Sequence, residues 1–391
     1  MPIHLPPDHF GVYIHVPFCA RKCRYCDFPS RPLCGDREVV ERYLRALARE
    51  AEARRPEIDR PVHSIYIGGG TPTVLTPAEL ARLWEEVVAP FPRVPGAEVS
   101  LEANPGTLTP AHAMVLAGLP ATRVSLGAQS FDPAELAMLG RIHSPEEVEE
   151  GVRLLRAAGI PGINLDLIYG LPGQTAVRWG DTLRRALALQ PEHLSCYSLI
   201  VEEETPLMSD IAAGVLSLPG EEEEAGMASL AVALPAEHGL VQYEVSNAAR
   251  PGAECRHNLG YWLGRDYLGL GPAAVSSVGG VRWRNEDDPG AYADRLLGGA
   301  PAVRYVERLS APSRLLERVM LGLRLCEGFD LAAAEAECGC TLQALAAGAM
   351  SELTDRGLLA RDGDRLRLTP TGFPLANQVV AELMANTSRS V

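Results

Sequence analysis

Three cysteines lie within eight residues in Cys19-Ala-Arg-Lys-Cys23-Arg-Tyr-Cys26. Placed directly after a short apolar run, their thiolates can converge on one metal centre. Two kinds of centre fit such donors. A structural zinc site closes with four protein ligands; Asp27 could add an oxygen, and the next thiol is Cys34. A four-iron cluster on three thiolates keeps one iron open to an outside ligand, as catalytic metal sites keep an open position. The spacing favours the cluster.

Further groups sit at the ends of other apolar runs. Gly68-Gly-Gly-Thr-Pro72 lacks side chains where a ligand could approach the backbone closely. Alone, such a run is equally a turn. Glu102, Gln129, Arg141 and Asp166 can hydrogen-bond hydroxyl and carboxylate groups. A carboxylate buried at a strand end needs a partner, and ligand hydroxyls would serve. Salt bridges or helix caps are the plainer use of any one of them.

The elements that must position these groups alternate. Strands are expected at Val12–Val16, Ser64–Ile67, Glu98–Glu102, Arg123–Leu126, Ile163–Ile168 and His193–Leu199. Helices are expected at Arg37–Arg55, Pro77–Val88, Thr109–Ala117, Pro145–Ala158 and Thr175–Leu189, several opening on Pro or after Ser/Thr. Strand–helix alternation implies a parallel sheet with right-handed crossovers. About six such units make an α/β fold, a partial (β/α)6 barrel of TIM type rather than an open sheet. The chemistry-bearing residues follow the strands, where βα barrels carry their sites. A further helix is expected from Glu221–Glu224 and a short strand near Gln242–Val245. The Gly/Asp/Pro-rich stretch Gly279–Gly299 precedes a second region, helical in pattern from about Pro312 through Leu315, Val319 and Leu323 and then over Leu331–Ala347. A hairpin around Arg365–Thr369 and a last helix complete a winged-helix-like unit. The expected domains are 1–300, the barrel, and 301–391, the winged-helix-like unit.

Composition excludes several classes. With 47% hydrophobic and 22% charged residues, the chain is neither disordered nor a disulfide scaffold. The net charge of −14 disfavours nucleic acid and anionic lipid as partners, including DNA at the winged helix. No apolar run reaches the roughly 18 residues that span a bilayer, and Met1–Phe10 do not resemble a signal peptide. Clustered thiols then imply a reducing, cytoplasmic location. Lys22, the only lysine among 36 basic residues, lies inside the cysteine loop. Cys34, Cys196 and Cys326 read as small buried hydrophobes, and Cys338-Gly-Cys340 as ordinary thiols.

The loop resembles the signature of the radical S-adenosylmethionine superfamily. With Tyr13-Ile-His-Val-Pro-Phe-Cys19 and Tyr25-Cys26-Asp27-Phe28 it resembles that family's coproporphyrinogen III dehydrogenase-like branch over roughly residues 11–380. The resemblance implies a [4Fe-4S] cluster on Cys19, Cys23 and Cys26. Its open iron would chelate S-adenosylmethionine, and one electron would release a 5'-deoxyadenosyl radical. It also implies contacts to S-adenosylmethionine from Tyr13, Tyr25, Gly69, Gly70, Thr71, Glu102, Gln129, Arg141, Asp166, Ile200 and Val275. At Val275 many relatives carry histidine.

Within the branch, Phe28 stands where the dehydrogenase has a further cysteine, and ten residues precede Gly11 in place of its longer extension. Both features match the shorter relatives, which are haem chaperones. Cys255-Arg-His257-Asn258-Leu-Gly-Tyr261-Trp262 resembles their HNxxYW motif. An imidazole or thiolate is a credible axial ligand, and aromatic rings pack on porphyrins; the choice between His257 and Cys255 stays open. The resemblance thus implies haem as a third cofactor and haem-acceptor proteins, respiratory ones among them, as partners. It also implies an electron donor such as flavodoxin or ferredoxin, and a homodimer is a further expectation. The alternatives are the dehydrogenase, decarboxylating two propionates of coproporphyrinogen III, and a radical enzyme acting on RNA, which the acidic balance disfavours.

Overall fold

The computed structural model of the protein describes residues 5–385. Six parallel strands form the framework: Phe10–Val16, Val62–Gly69, Arg93–Ala103, Arg123–Gln129, Gly162–Tyr169 and His193–Ser198, hydrogen-bonded in that order. They are called the first to sixth strands below. Helices return the chain between them, so the partial (β/α)6 barrel is the architecture observed. Asp266–Leu270 pairs parallel to the first strand on its other side. The antiparallel strands Val275–Val278, Val281–Asn285 and Val303–Arg308 follow outward from it. Asn247–Ala249 and Val241–Gln242 extend the far edge beyond the sixth strand, giving a twelve-stranded sheet.

Alternation along the strands explains the layering. Val12, Ile14, Ile65, Ile67, Val99, Leu101, Val124, Leu126, Ile163, Leu165 and Leu194 are buried in the main core with the helices. The residues between them are largely polar: Tyr13, Ser64, Tyr66, Glu98, Ser100, Glu102, Arg123, Ser125, Asn164, Asp166, His193 and Ser195. With a strand period of two, these face the other way, into the barrel. They are linked across strands: Ser125 Oγ donates to Asp166 Oδ2 at 2.7 Å, and Asn164 Nδ2 to Asp166 Oδ1 at 2.8 Å. His193 Nδ1 meets Asn164 Oδ1 at 2.6 Å. Buried polar atoms survive there because they satisfy one another.

Local differences from the sequence reading have physical causes. The helix expected over Pro77–Val88 is α-helical to Leu83 and widens to a π turn over Trp84–Val88. The stretch Gly279–Gly299 holds the strand Val281–Asn285 and the helix Pro289–Leu297, capped by Asp288. The boundary expected at 300/301 falls inside the large sheet, because Val303–Arg308 pairs back onto Val281–Asn285. The C-terminal core begins near Leu315 and runs to Leu383. It packs helices Ala311–Gly322, Leu331–Cys338, Leu342–Asp355 and Ala376–Ala385 on a small sheet built from Phe329–Asp330, Leu359–Asp362 and Arg365–Leu368. The helical stretch Leu331–Ala347 divides between two helices, because Gly339 takes a left-handed cap at φ 72 and Thr341 caps the next. Cys34 is exposed rather than buried.

Candidate functional site

A cavity of about 530 Å³ opens at the C-terminal ends of the barrel strands. Cys19, Cys23 and Cys26 lie on its wall with Tyr25, Gly69, Gly70, Thr71, Glu102, Gln129, Arg141, Asp166 and Ile200. These residues come from five strands or their ends, the cysteine loop and, for Arg141, the segment after the helix Pro133–Leu139, which the fold alone brings together.

The loop is held from several sides. Phe18–Cys19 pairs with Arg31–Pro32, closing its base. Arg24 fixes its middle: its N–H donates to Leu139 O at 3.0 Å, and its carbonyl accepts from Leu207 N at 3.0 Å. Its guanidinium pairs with Asp210. Thr71 N donates to Phe18 O at 2.7 Å, joining the glycine run to the loop. That run has no room for side chains. A Cβ on Gly69 would lie 2.4 Å from the His15 ring, and Gly69 has φ +105. A Cβ on Gly70 would lie 2.4 Å from Phe18 O. Gln129 adopts φ 65 where the register between fourth and fifth strands shifts, a strained conformation of the kind found at ligand sites.

The carboxylates are half-buried on the cavity wall. Glu102 accepts from Tyr66 Oη at 2.9 Å and Gly69 N at 3.0 Å. Burial, with the nearby Asp166 charge, still pushes it up to about 7. Asp166 is also raised, chiefly by burial. Two half-buried carboxyls facing one cavity suit a ligand rich in hydroxyls and carrying positive charge.

The donors fit an iron–sulfur cluster. Three thiols share one cavity wall, with a guanidinium beside Cys23. Among the described residues no three His, Cys, Asp or Glu side chains are gathered around one point. A cluster does not require this, because each of its irons takes a single thiolate.

Other expected residues lie elsewhere. Tyr13 and Val275 are not on the cavity wall. Tyr13 stands behind Tyr66, ring centroids 6.2 Å apart, and bonds His15 Nδ1 at 3.0 Å. Val275 begins a strand beyond Gly269, the register partner of Tyr13. The set Cys255, His257, Asn258, Tyr261 and Trp262 is also off the wall. It forms the helix Arg256–Trp262 and its N-cap, which cross the barrel beneath Tyr66. His257 is 3% exposed. Its Nδ1 meets Ser64 Oγ at 3.0 Å and its Nε2 meets Tyr261 Oη at 3.0 Å. Burial holds it down to about 3, so the imidazole is neutral. Glu98 caps the helix, accepting from Arg256 N at 2.9 Å and His257 N at 3.0 Å. Trp262 packs towards the C-terminal unit, beside Leu259 and Leu325. Rings therefore run downward from the cavity: Tyr66 stacks on His257 at 5.3 Å, and Tyr261 meets His257 edge to face at 4.9 Å.

Sequence reasoning missed Tyr66, Asn104, Ser125 and Tyr197, which also line the cavity. The available signal was their period-two position in otherwise apolar strands.

A parallel barrel with a three-cysteine loop at its C-terminal mouth defines a radical S-adenosylmethionine protein. The model of the Radical SAM superfamily matches residues 13–186, and that of the HemN C-terminal domain matches 309–375. The chain is 40% identical to the Heme chaperone HemW of Mycobacterium tuberculosis strain H37Rv, covering 97% of this chain and 96% of that one. It is 34% identical to the Heme chaperone HemW of Bacillus subtilis, covering 94% and 97%. The solved coproporphyrinogen III oxidase HemN of Escherichia coli superposes with a TM-score of 0.84 at 23% identity, covering 98% and 91%. The chain belongs to the HemW family of the radical S-adenosylmethionine superfamily. That superfamily's cofactors are a [4Fe-4S] cluster and S-adenosylmethionine.

Proposed function

We propose that the chain is a haem chaperone that binds haem and passes it to acceptor proteins, assisted by a [4Fe-4S] cluster and S-adenosylmethionine. The observation that carries this is likeness along nearly the whole chain to relatives named heme chaperones. The HemN likeness, below 25% identity, supports the fold alone. Phe28, 66% exposed on the cavity wall where the dehydrogenase has a cysteine, supports the same side.

In this reading Cys19, Cys23 and Cys26 hold the cluster. The cavity residues Tyr25, Gly69, Gly70, Thr71, Glu102, Gln129, Arg141, Asp166 and Ile200 receive S-adenosylmethionine, while Tyr13 and Val275 support the wall from behind. The cluster supplies a single electron for reductive chemistry at the bound sulfonium. Glu102 and Asp166 accept ligand hydroxyls, and Tyr66 orients Glu102.

Of the two candidate axial ligands, His257 is the better. Burial, with Glu98 beside it, pushes the Cys255 thiol up to about 12, so it stays protonated. The His257 ring is already neutral, as iron ligation needs. Both its nitrogens are bonded, so ligation requires the His257 ring to give up Ser64 or Tyr261. The reading places the protein in the cytoplasm, with haem-acceptor proteins and a flavodoxin or ferredoxin as partners. No helix among the described residues is long and apolar enough to cross a membrane.

The test runs a coproporphyrinogen III assay beside a haem titration on one anaerobically reconstituted sample. Haem binding with little or no protoporphyrinogen formed is the expected result. Robust turnover to protoporphyrinogen would assign the chain to the oxidases instead.

A further inference from the structure

Arg141 stands two residues past the helix Pro133–Leu139, whose last carbonyl also anchors the cysteine loop through Arg24 N. That geometry turns its guanidinium onto the loop. Nη1 donates to Cys23 Sγ at 3.5 Å, and Nη2 donates to Gly127 O at 2.6 Å. Nε is buried without a hydrogen-bond partner. The three nitrogens of the fork thus serve different ends, one on a cysteine sulfur, one on the barrel wall, and one left for a bound ligand's acceptor. The planar fork makes such divided use possible, where a lysine offers a single point charge.

We propose that Arg141 sets the reduction potential of the cluster, in addition to meeting S-adenosylmethionine. This rests on the reading that Cys19, Cys23 and Cys26 hold a [4Fe-4S] cluster. Reduction adds one electron, and so one negative charge, to the cluster and its thiolates. A hydrogen bond and a half-buried positive charge at Cys23 Sγ stabilise that more negative state and raise the potential. Lys22, adjacent in sequence, does less: its ammonium is exposed and donates to Phe28 O at 3.3 Å rather than to a sulfur.

The test is an EPR-monitored redox titration of the anaerobically reconstituted full chain, with dithionite as reductant and no S-adenosylmethionine present. Arg141→Met should shift the midpoint to more negative potential at unchanged iron content, and Lys22→Met should shift it less. If Arg141→Met fails to hold four irons, Gly127→Ala serves. Its added Cβ would lie 3.2 Å from Arg141 Nη2 and disturb the fork without removing it, and a negative shift is again expected. A midpoint unchanged without S-adenosylmethionine, moving only once it is added, would overturn the proposal and leave Arg141 a ligand contact alone. A wild-type chain that takes up no four-iron cluster would overturn the reading of the cysteines, and this assignment with it.

Discussion

Glu102 shows what a single half-buried residue contributes. Its carboxyl, lifted to about 7 by burial and by Asp166, is half-protonated near neutral pH. Only the carboxylate accepts from two ligand hydroxyls and attracts a sulfonium. Because the proton is held below about pH 7 and lost above it, affinity for S-adenosylmethionine should rise between pH 6 and 8. Calorimetric titration checks this, and Glu102→Gln should bind more weakly with a flatter pH profile. A wild-type affinity constant over that range would remove Glu102 from the site. At His257, removal of the ring strips Tyr261 Oη of its partner and leaves a void under Tyr66. His257→Ala should cost about 1–3 kcal/mol of stability, read from urea midpoints. It should also weaken the haem Soret band; unchanged haem affinity would take His257 out of haem binding. The cysteines and the cavity carboxylates were legible because their types and spacing are rare. Arg141's contact with Cys23 was not, since 118 residues separate the two.

At the scale of elements, the cysteine loop is organised by the protein itself. Arg24 ties it to the segment around Leu139 by its backbone N–H and to Asp210 by its side chain. Arg24→Ala should therefore raise the rate at which iron is lost to a chelator under anaerobic conditions, with little change in far-UV circular dichroism. A loss rate equal to wild type would mean that the backbone bonds suffice. The helix Arg256–Trp262 carries the opposite lesson about legibility. Its motif could be read in the sequence, but its place could not. Parallel pairing of Asp266–Leu270 with the first strand swings the preceding helix beneath the barrel, and no local pattern announces that pairing. The elements within the glycine-rich stretch after 279 were hidden for a related reason. Glycine at Gly279 and Gly280 signals a turn, yet here the turn joins two paired strands. Periodicity did locate the six barrel strands to within a few residues, since apolar positions alternate with polar ones throughout.

For the whole molecule, the arrangement is vertical. The cysteine loop and cavity lie at the top of the barrel, a polar interior below, and the helix Arg256–Trp262 beneath, packed through Leu263 against the C-terminal core. Tyr66 spans the levels, bonding Glu102 above and stacking on His257 below. The net charge of −14 belongs to the chain as a whole. On this reading the chain carries haem rather than transforming a porphyrinogen. A Soret-monitored haem titration of the anaerobic, cluster-loaded full chain separates the two. Saturation at one haem per chain is expected. Absence of a saturable Soret change, with protoporphyrinogen accumulating when coproporphyrinogen III and S-adenosylmethionine are supplied instead, would make the chain an oxidase and not a carrier.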